Sequence, residues 1–260
     1  MRSTALGNSY LLLTVSPLDL IAALGETTAG PALPRLRDVM LSDQEGRRIL
    51  RDRPRINSST VDMAWLATLP DNTFGHTYIR WLERCGVTPD TREPVSIYIY
   101  HTGNQIRSGP LVPFLKVHYV DDPELAYVMQ RYRDCHDFYH AICSLPVSVT
   151  YEVALKFFEF ANLGLPVAGL SAMFGPLRLN STQQKRLVTE YVPWALRCGS
   201  TCKNLIGVYW EEKWEMDVDE LKKELGIWDP PPAIWPKKLT EAAKAKKKLD
   251  AMAEGGDAKA

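Results

Sequence analysis

No two cysteines in this chain form a CxxC pair, and their number, five, is odd. Neither a disulfide framework nor a cysteine zinc site is suggested, and a reducing compartment fits best. Cys198 and Cys202, one helical turn apart, could hold a soft metal, but a small buried thiol is the commoner use of cysteine. No charge of one sign dominates, since 31 Lys and Arg balance 31 Asp and Glu. No global field therefore draws in nucleic acid, and no basic recognition helix or RNA-binding signature is present. No apolar run approaches the roughly 20 residues that span a bilayer. Residues 11–15 are apolar but too few for a span, and they lack a signal-peptide cleavage pattern. An Arg-rich import leader is missing too, because only Arg2 precedes Arg35. Residues 1–16 read as an N-terminal segment, a truncated or disordered leader, unless targeting is internal. Internal repeats are absent.

What the chain does have is helical punctuation. Ser16-Pro17 opens a helical hairpin over residues 17–54 with a cap and a first-turn proline, and Gly30-Pro31 divides it. Ser42, with Glu45 three residues on, predicts a capping box. Residues 60–69 and 73–85 are two further helices, the second stopped by Gly86. Residues 87–118, rich in Pro, Thr and Gly, read as a long irregular excursion with a short hairpin. Asp121-Asp122-Pro123-Glu124 starts a helix that should run to about residue 144. Pro146 interrupts it, and a second helix follows over 147–162, ended by Gly164 and Pro166. Another begins at residue 180 or 181 and bends near Pro193. From residue 237 onward the chain is a Lys/Ala-rich solvated tail. The expectation is a mainly α, single-domain, bundle-like fold over residues 17–236.

The most informative stretch is Cys135-His136-Asp137-Phe138-Tyr139-His140. Two of the five histidines sit at i and i+4, on one helical face, so both imidazoles can reach one ion. Asp137, three residues before His140, can add a carboxylate. On one straight helix Glu152 would lie roughly 18 Å beyond His140, too far to share the ion. A break at Leu145-Pro146 changes that, because an antiparallel return brings His140 and Glu152 level. Metal sites between facing helices are a recurrent bundle device. Nitrogen and oxygen donors without sulfur suit Zn²⁺, and also Fe²⁺, Mn²⁺ or Co²⁺. Four protein ligands would close a tetrahedral shell, whereas a catalytic ion needs an open position. Asp137 is then either a ligand or a carboxylate that orients a histidine. The bland alternative is a hydrogen-bonded histidine pair, with Glu152 paired to Arg133 or a lysine. Zinc peptidases need glutamate where Asp137 stands. HD-type phosphohydrolases need further ligands that His76, His101 and His118 do not supply in context; these three read as structural.

His136-Asp137-x-x-His140, eleven residues, then Glu152 resembles the signature of the metal-binding fourth protein family of coenzyme Q biosynthesis. The likeness extends to residues 38–56 (DVMLSDQEGRRILRDRPRI), 128–134, 153–159, 164–166 and 174–179, and covers roughly residues 17–235. The stretch around Tyr209-Trp210-Glu211 is similar to the fungal branch. The resemblance implies a peripheral protein on the matrix side of the mitochondrial inner membrane, working in a multisubunit ubiquinone-synthesis complex. It implies removal of the C1 carboxylate of a polyprenylated 4-hydroxybenzoate, with C1 hydroxylation if the step is oxidative. Zinc is the implied ion, with His136, Asp137, His140 and Glu152 as ligands and no catalytic residue beyond them.

An isoprenoid tail needs an apolar passage, and residues 157–179, with Gly164, Gly169, Ser171, Ala172 and Gly175 among apolar neighbours, could offer one or could simply pack closely. Trp210, Trp214, Trp228 and Trp235 suit either a membrane surface or a core. Besides the decarboxylase reading stands a second one, a non-catalytic lipid-binding scaffold with a structural metal.

Overall fold

The computed structural model describes residues 17–90 and 119–235, with side chains from residue 23 onward in the first of these. Most of the predicted excursion, the N-terminal segment and the tail lie outside the described residues.

The fold is organised around a 20-residue helix whose start is dictated locally. Asp122 accepts the backbone N–H groups of Glu124 and Leu125, and Pro123 occupies the first turn, where its missing N–H costs nothing. In chain order the helices are α1 (Pro17–Thr28), α2 (Ala32–Ser42), α3 (Gln44–Asp52), α4 (Met63–Leu66), α5 (Phe74–Cys85), α6 (Pro123–Ile142), α7 (Val149–Leu163), α8 (Pro166–Phe174), α9 (Ser181–Arg186), α10 (Val192–Thr201) and α11 (Val218–Leu225). The described residues contain no strand, only an isolated bridge between Thr73 and Asp217. The mainly α expectation holds.

Several predicted boundaries move, each for a local reason. Asp43, not Ser42, caps α3 by accepting Gly46 N–H, while the Ser42 hydroxyl turns back to Val39 O. Glu45 is thereby free to meet Lys203 and Lys213. The helix expected over 60–69 shrinks to α4, because the Asn57 side chain accepts Ser59 and Thr60 N–H and holds that segment in a turn. The bend expected at Pro193 occurs just before it, as a π-turn over Leu187–Tyr191. Proline has no N–H to continue the ladder, and Val192 N–H reaches back to Leu187 O.

α6 is buried almost all round. On one side Phe138 meets Phe74, Tyr78, Trp210 and Trp214, with ring centroids 4.7–5.6 Å apart. Trp210 and Trp214 are therefore core anchors rather than membrane-surface residues, since ring burial dominates their energetics. Trp228 is exposed and Trp235 stacks under the Arg84 guanidinium. The fully buried Arg131 is paired bidentately with Glu211 and also bonds Val208 O, which ties α6 to the chain after α10.

α7 packs chiefly on α10 and α8, and α6 on α2 and α5. α6 and α7 thus meet through side chains rather than close backbone contact. Gly164, at φ 65, caps α7 in the left-handed conformation, and Arg35 caps it again by donating to Leu163 O. Of the two readings of residues 157–179, a tail passage or close packing, the glycines of α8 and its end favour packing. A Cβ on Gly169 would stand 2.8 Å from the Phe160 ring, and Gly175 faces Val153, so these small residues serve close packing. Gly199 lets α10 approach α7: a Cβ there would lie 2.5 Å from Phe158 O. Because that neighbour is backbone, Gly199→Ala should lower stability by about 1–3 kcal/mol, read as a Tm decrease of several degrees in thermal melts.

Candidate metal centre

The site begins with how the chain turns between α6 and α7. α6 ends because Ser144 enters the left-handed region at φ 50, a conformation that costs an L-residue roughly 1–2 kcal/mol. Ser144 N–H returns to Ala141 O and Leu145 N–H to His140 O, which satisfies the last carbonyls of the helix. Pro146 follows, and Ser148 O then accepts Tyr151 and Glu152 N–H to open α7. α6 thus ends close to the expected residue 144, with Pro146 inside the turn, and α7 starts at Val149 rather than residue 147.

That turn sends α7 back along α6. His140 Nε2 lies 3.1 Å from Glu152 Oε1, and His136 Nε2 lies 3.4 Å from Oε2. The three ligand atoms fall within 4.8 Å of one another. Zinc bonds to nitrogen and oxygen of about 2.0–2.1 Å imply tetrahedral ligand separations of about 3.3 Å, which the two histidine–glutamate distances match. Both Nε2 atoms are buried without a hydrogen bond; the carboxylate is near but out of line for one. Two buried lone-pair nitrogens left unsatisfied beside a carboxylate are what a cation would satisfy. Arg131 Nε, Trp210 Nε1 and Tyr139 Oη also lack a bond, but none belongs to such a cluster.

Asp137 does not join the three ligand atoms within that distance. It is buried one position along α6 and lines a cavity of about 320 Å³ with Arg55, Gln130, Arg133 and Asp134. Helical geometry sets it about 100° round from His136 and about 60° from His140, at the edge of the face that carries the two histidines. Arg133 pairs with Glu26 rather than with Glu152. Cys198 and Cys202 stand apart from the cluster, with Cys202 Sγ accepting Asn162 Nδ2. His76 pairs with Asp71 at 3.0 Å; His101 and His118 lie outside the described residues.

The supports behind the histidines were not foreseen. His136 Nδ1 bonds the fully buried Glu159, whose other oxygen accepts Tyr132 Oη at 2.9 Å and Lys156 Nζ at 2.5 Å. His140 Nδ1 bonds Leu145 O at 3.1 Å, and Trp81 Nε1 shares that carbonyl at 2.7 Å. The Trp81 indole also stacks on the His140 ring. A periodic signal for these residues exists: Tyr132 precedes His136 by four positions, and Lys156 and Glu159 follow Glu152 by four and seven, on the same helical face.

Electrostatics follow from the packing. Burial raises the Glu159 carboxyl, but His136 and Lys156 outweigh it and hold the group well below the ordinary carboxylate range. Burial likewise raises Glu152, and His140 and His136 bring it well below that range. Glu152 keeps 31 % exposure while the histidines keep 0–1 %, so the cluster is closed at its back and reached from the Glu152 side.

The comparisons with known proteins bear on this geometry. The family model of coenzyme Q (ubiquinone) biosynthesis protein Coq4 matches residues 5–102 and 115–231. The chain belongs to the Coq4 family. Membership places it in ubiquinone biosynthesis. It is similar to the mitochondrial ubiquinone biosynthesis protein COQ4 of Coprinopsis cinerea, 61 % identical over 227 residues that cover 87 % of this chain and 70 % of that protein. Similar relatives come from Laccaria bicolor (59 % identity; 87 % and 69 % covered) and Candida albicans (46 %; 91 % and 66 %). A crystal structure from Nostoc punctiforme, 22 % identical, shares the fold with a TM-score of 0.52 over 79 % of this Coq4-family chain and 81 % of its own.

Two outcomes follow. His140→Ala should lower bound zinc from about one ion per chain to well below it, measured by elemental analysis of folded protein, because two remaining donors rarely retain the ion. Both carboxyls titrate lower folded than unfolded. Their stabilisation is therefore complete above the unfolded value of about 4.3 and is lost as pH falls below it. Glu159→Gln should flatten the acid side of the Tm-versus-pH curve of metal-stripped protein.

Proposed function

We propose that the chain is a metal-dependent C1-decarboxylase of a polyprenylated 4-hydroxybenzoate in ubiquinone biosynthesis. In this reading it acts at the matrix face of the mitochondrial inner membrane, beside other enzymes of the route. The observation that carries the reading is the three-ligand cluster open on one side, with zinc as the fitting ion. His136, His140 and Glu152 would hold it. When bound, the ion supplies a Lewis acid for a phenolate or carboxylate oxygen. The product keeps the ring, CO₂ leaves, and a proton replaces it at C1.

The chain's own groups match the other demands of that substrate. The cavity beside Asp137 carries Arg55 and Arg133 in its wall, Arg55 paired with Asp134 and Arg133 with Glu26, together with Asp90 and Asp137; this is a polar wall of mixed charge, in which the guanidinium groups can meet the oxygens of a hydroxybenzoate head. Its polar character does not suit the isoprenoid tail, which needs apolar surface elsewhere. Met173, Phe174 and Leu177, at the end of α8 and just after it, are 57–77 % exposed. Arg178 and Lys185 are exposed beside them in sequence. Apolar side chains with neighbouring cations favour an anionic lipid surface. No helix among the described residues is long and apolar enough to cross a membrane, and surface association needs none.

That same exposed strip favours the second reading, a lipid-binding scaffold in which the metal is structural and Asp137 turns in to close the shell. The two part on turnover. Purified zinc-loaded protein should release CO₂ from a prenylated 4-hydroxybenzoate, and chelation or Glu152→Gln should reduce release at least 100-fold. Absence of turnover, with ligand variants losing only stability or assembly, would establish the scaffold instead. Separately, Met173→Ser with Leu177→Ser should cut flotation with vesicles containing anionic lipid several-fold and leave the melting temperature nearly unchanged, since both side chains are exposed.

A further inference from the structure

Lys156 stands where it could spoil the site. Its Nζ is 3.2 Å from His136 Nδ1. If Lys156 donated there, the imidazole would carry its own proton on Nε2, and no lone pair would face Glu152. A His136 in that tautomer cannot ligate. The competing partner at the same nitrogen is Glu159, which as an ionised carboxylate can only accept. With Glu159 as acceptor, the proton sits on Nδ1 and the Nε2 lone pair is released toward Glu152 and His140.

We infer that Glu159 is a positioning residue, which fixes His136 in the Nδ1–H tautomer against the competing Lys156 and makes His136 the stronger imidazole donor of the pair. The donor part rests on the metal-binding reading above; the tautomer part does not. The arrangement leaves Glu159 fully engaged. One oxygen takes the His136 N–H, and the other takes Tyr132 Oη at 2.9 Å and Lys156 Nζ at 2.5 Å. Lys156 is closer to Glu159 than to His136, so its charge is absorbed by the carboxylate. Tyr132, one turn before His136 on α6, stops the carboxylate from rotating away. His140 is held differently: its Nδ1 meets a neutral backbone carbonyl, Leu145 O. A charged acceptor raises imidazole basicity more than a neutral one does. The two histidines of one motif are therefore unequal, and the difference comes from a residue seven positions beyond Glu152.

The alternative is a plain buried Lys–Glu pair that happens to touch a histidine. Long-range ¹H–¹⁵N spectra of histidine-labelled, metal-stripped protein near pH 8.5, about two units above the ordinary imidazole value, distinguish the two. His136 should appear as the Nδ1–H tautomer, with His136→Asn assigning the signal. Glu159→Ala should shift it to Nε2–H and weaken zinc binding, measured by chelator competition, about 10–100-fold. Glu159→Gln, whose carbonyl still accepts the Nδ1–H but carries no charge, should keep the wild-type tautomer and show an affinity between those of the wild type and Glu159→Ala. Glu159→Ala with Lys156→Met, lacking the competing donor, should regain part of it. An Nε2–H tautomer in the wild type, or an unchanged one in Glu159→Ala, overturns the inference, and the wild-type spectrum decides even if Glu159→Ala does not fold. A wild type with the Nδ1–H tautomer but no zinc affinity would remove the donor role and the metal reading together, while the tautomer assignment stands.

Discussion

Between Ile142 and Val149 the chain must reverse while leaving no backbone group stranded, and the rest of the structure depends on how it does so. Ser144 in the left-handed region and the returns to Ala141 O and His140 O close α6. Leu145 O is then left pointing where it can accept both Trp81 and His140. The same six residues thus end one helix, set the register of the next, and fix which nitrogen of His140 is available. A one-residue change in this turn would rotate α7 by about 100° and carry Glu152 out of reach of both imidazoles.

Holding α7 at that register takes more than the turn, because α6 and α7 approach each other mainly through side chains. α10 and α8 clamp α7 from outside, with Gly199 admitting close approach. α6 is gripped on its far side by the aromatic cluster of Phe74, Phe138, Trp210 and Trp214 and by the Arg131–Glu211 pair. The gap between the two helices is what leaves room for polar groups. In a tightly packed pair, ridges would interlock at 8–10 Å and exclude them. Here Tyr132, His136 and His140 face Glu159, Lys156 and Glu152 across the gap. Nearly every polar atom there finds a partner, and the two Nε2 atoms are the exceptions.

This concentration of polar groups inside an apolar shell has an energetic logic. An unsatisfied buried acceptor costs about 1–3 kcal/mol, and a fold retains such a cost where a ligand repays it. The Glu152 side is the open side, and the polar cavity beside Asp137 lies along the neighbouring face of α6. The exposed strip of Met173, Phe174 and Leu177 belongs to a different part of the surface chemistry, apolar where the cavity is polar. The two surfaces thus differ in character, and Coq4-family membership places the chain in ubiquinone biosynthesis.

Much of this was readable from the residues. The i, i+4 histidines, the acidic cap and Pro123 specified α6, and the His140–Glu152 spacing with a helix break between them specified an antiparallel return; periodicity and capping are local properties, so sequence determines them. The family motif was legible for the same reason. Ser42 against Asp43 as a cap was not, because neighbouring residues of similar chemistry compete and only the assembled backbone selects. Whether the small residues of 157–179 lined a passage or packed closely was decided by Phe160 and Val153, and whether Trp210 and Trp214 faced lipid or core by Phe74 and Phe138. The separation of Asp137 from the three clustered ligands, and the enlistment of Glu159, Tyr132 and Lys156 behind His136, depend on which helical faces meet across a gap. That is a property of how α2, α5, α8 and α10 hold two helices apart, and no single stretch of sequence contains it.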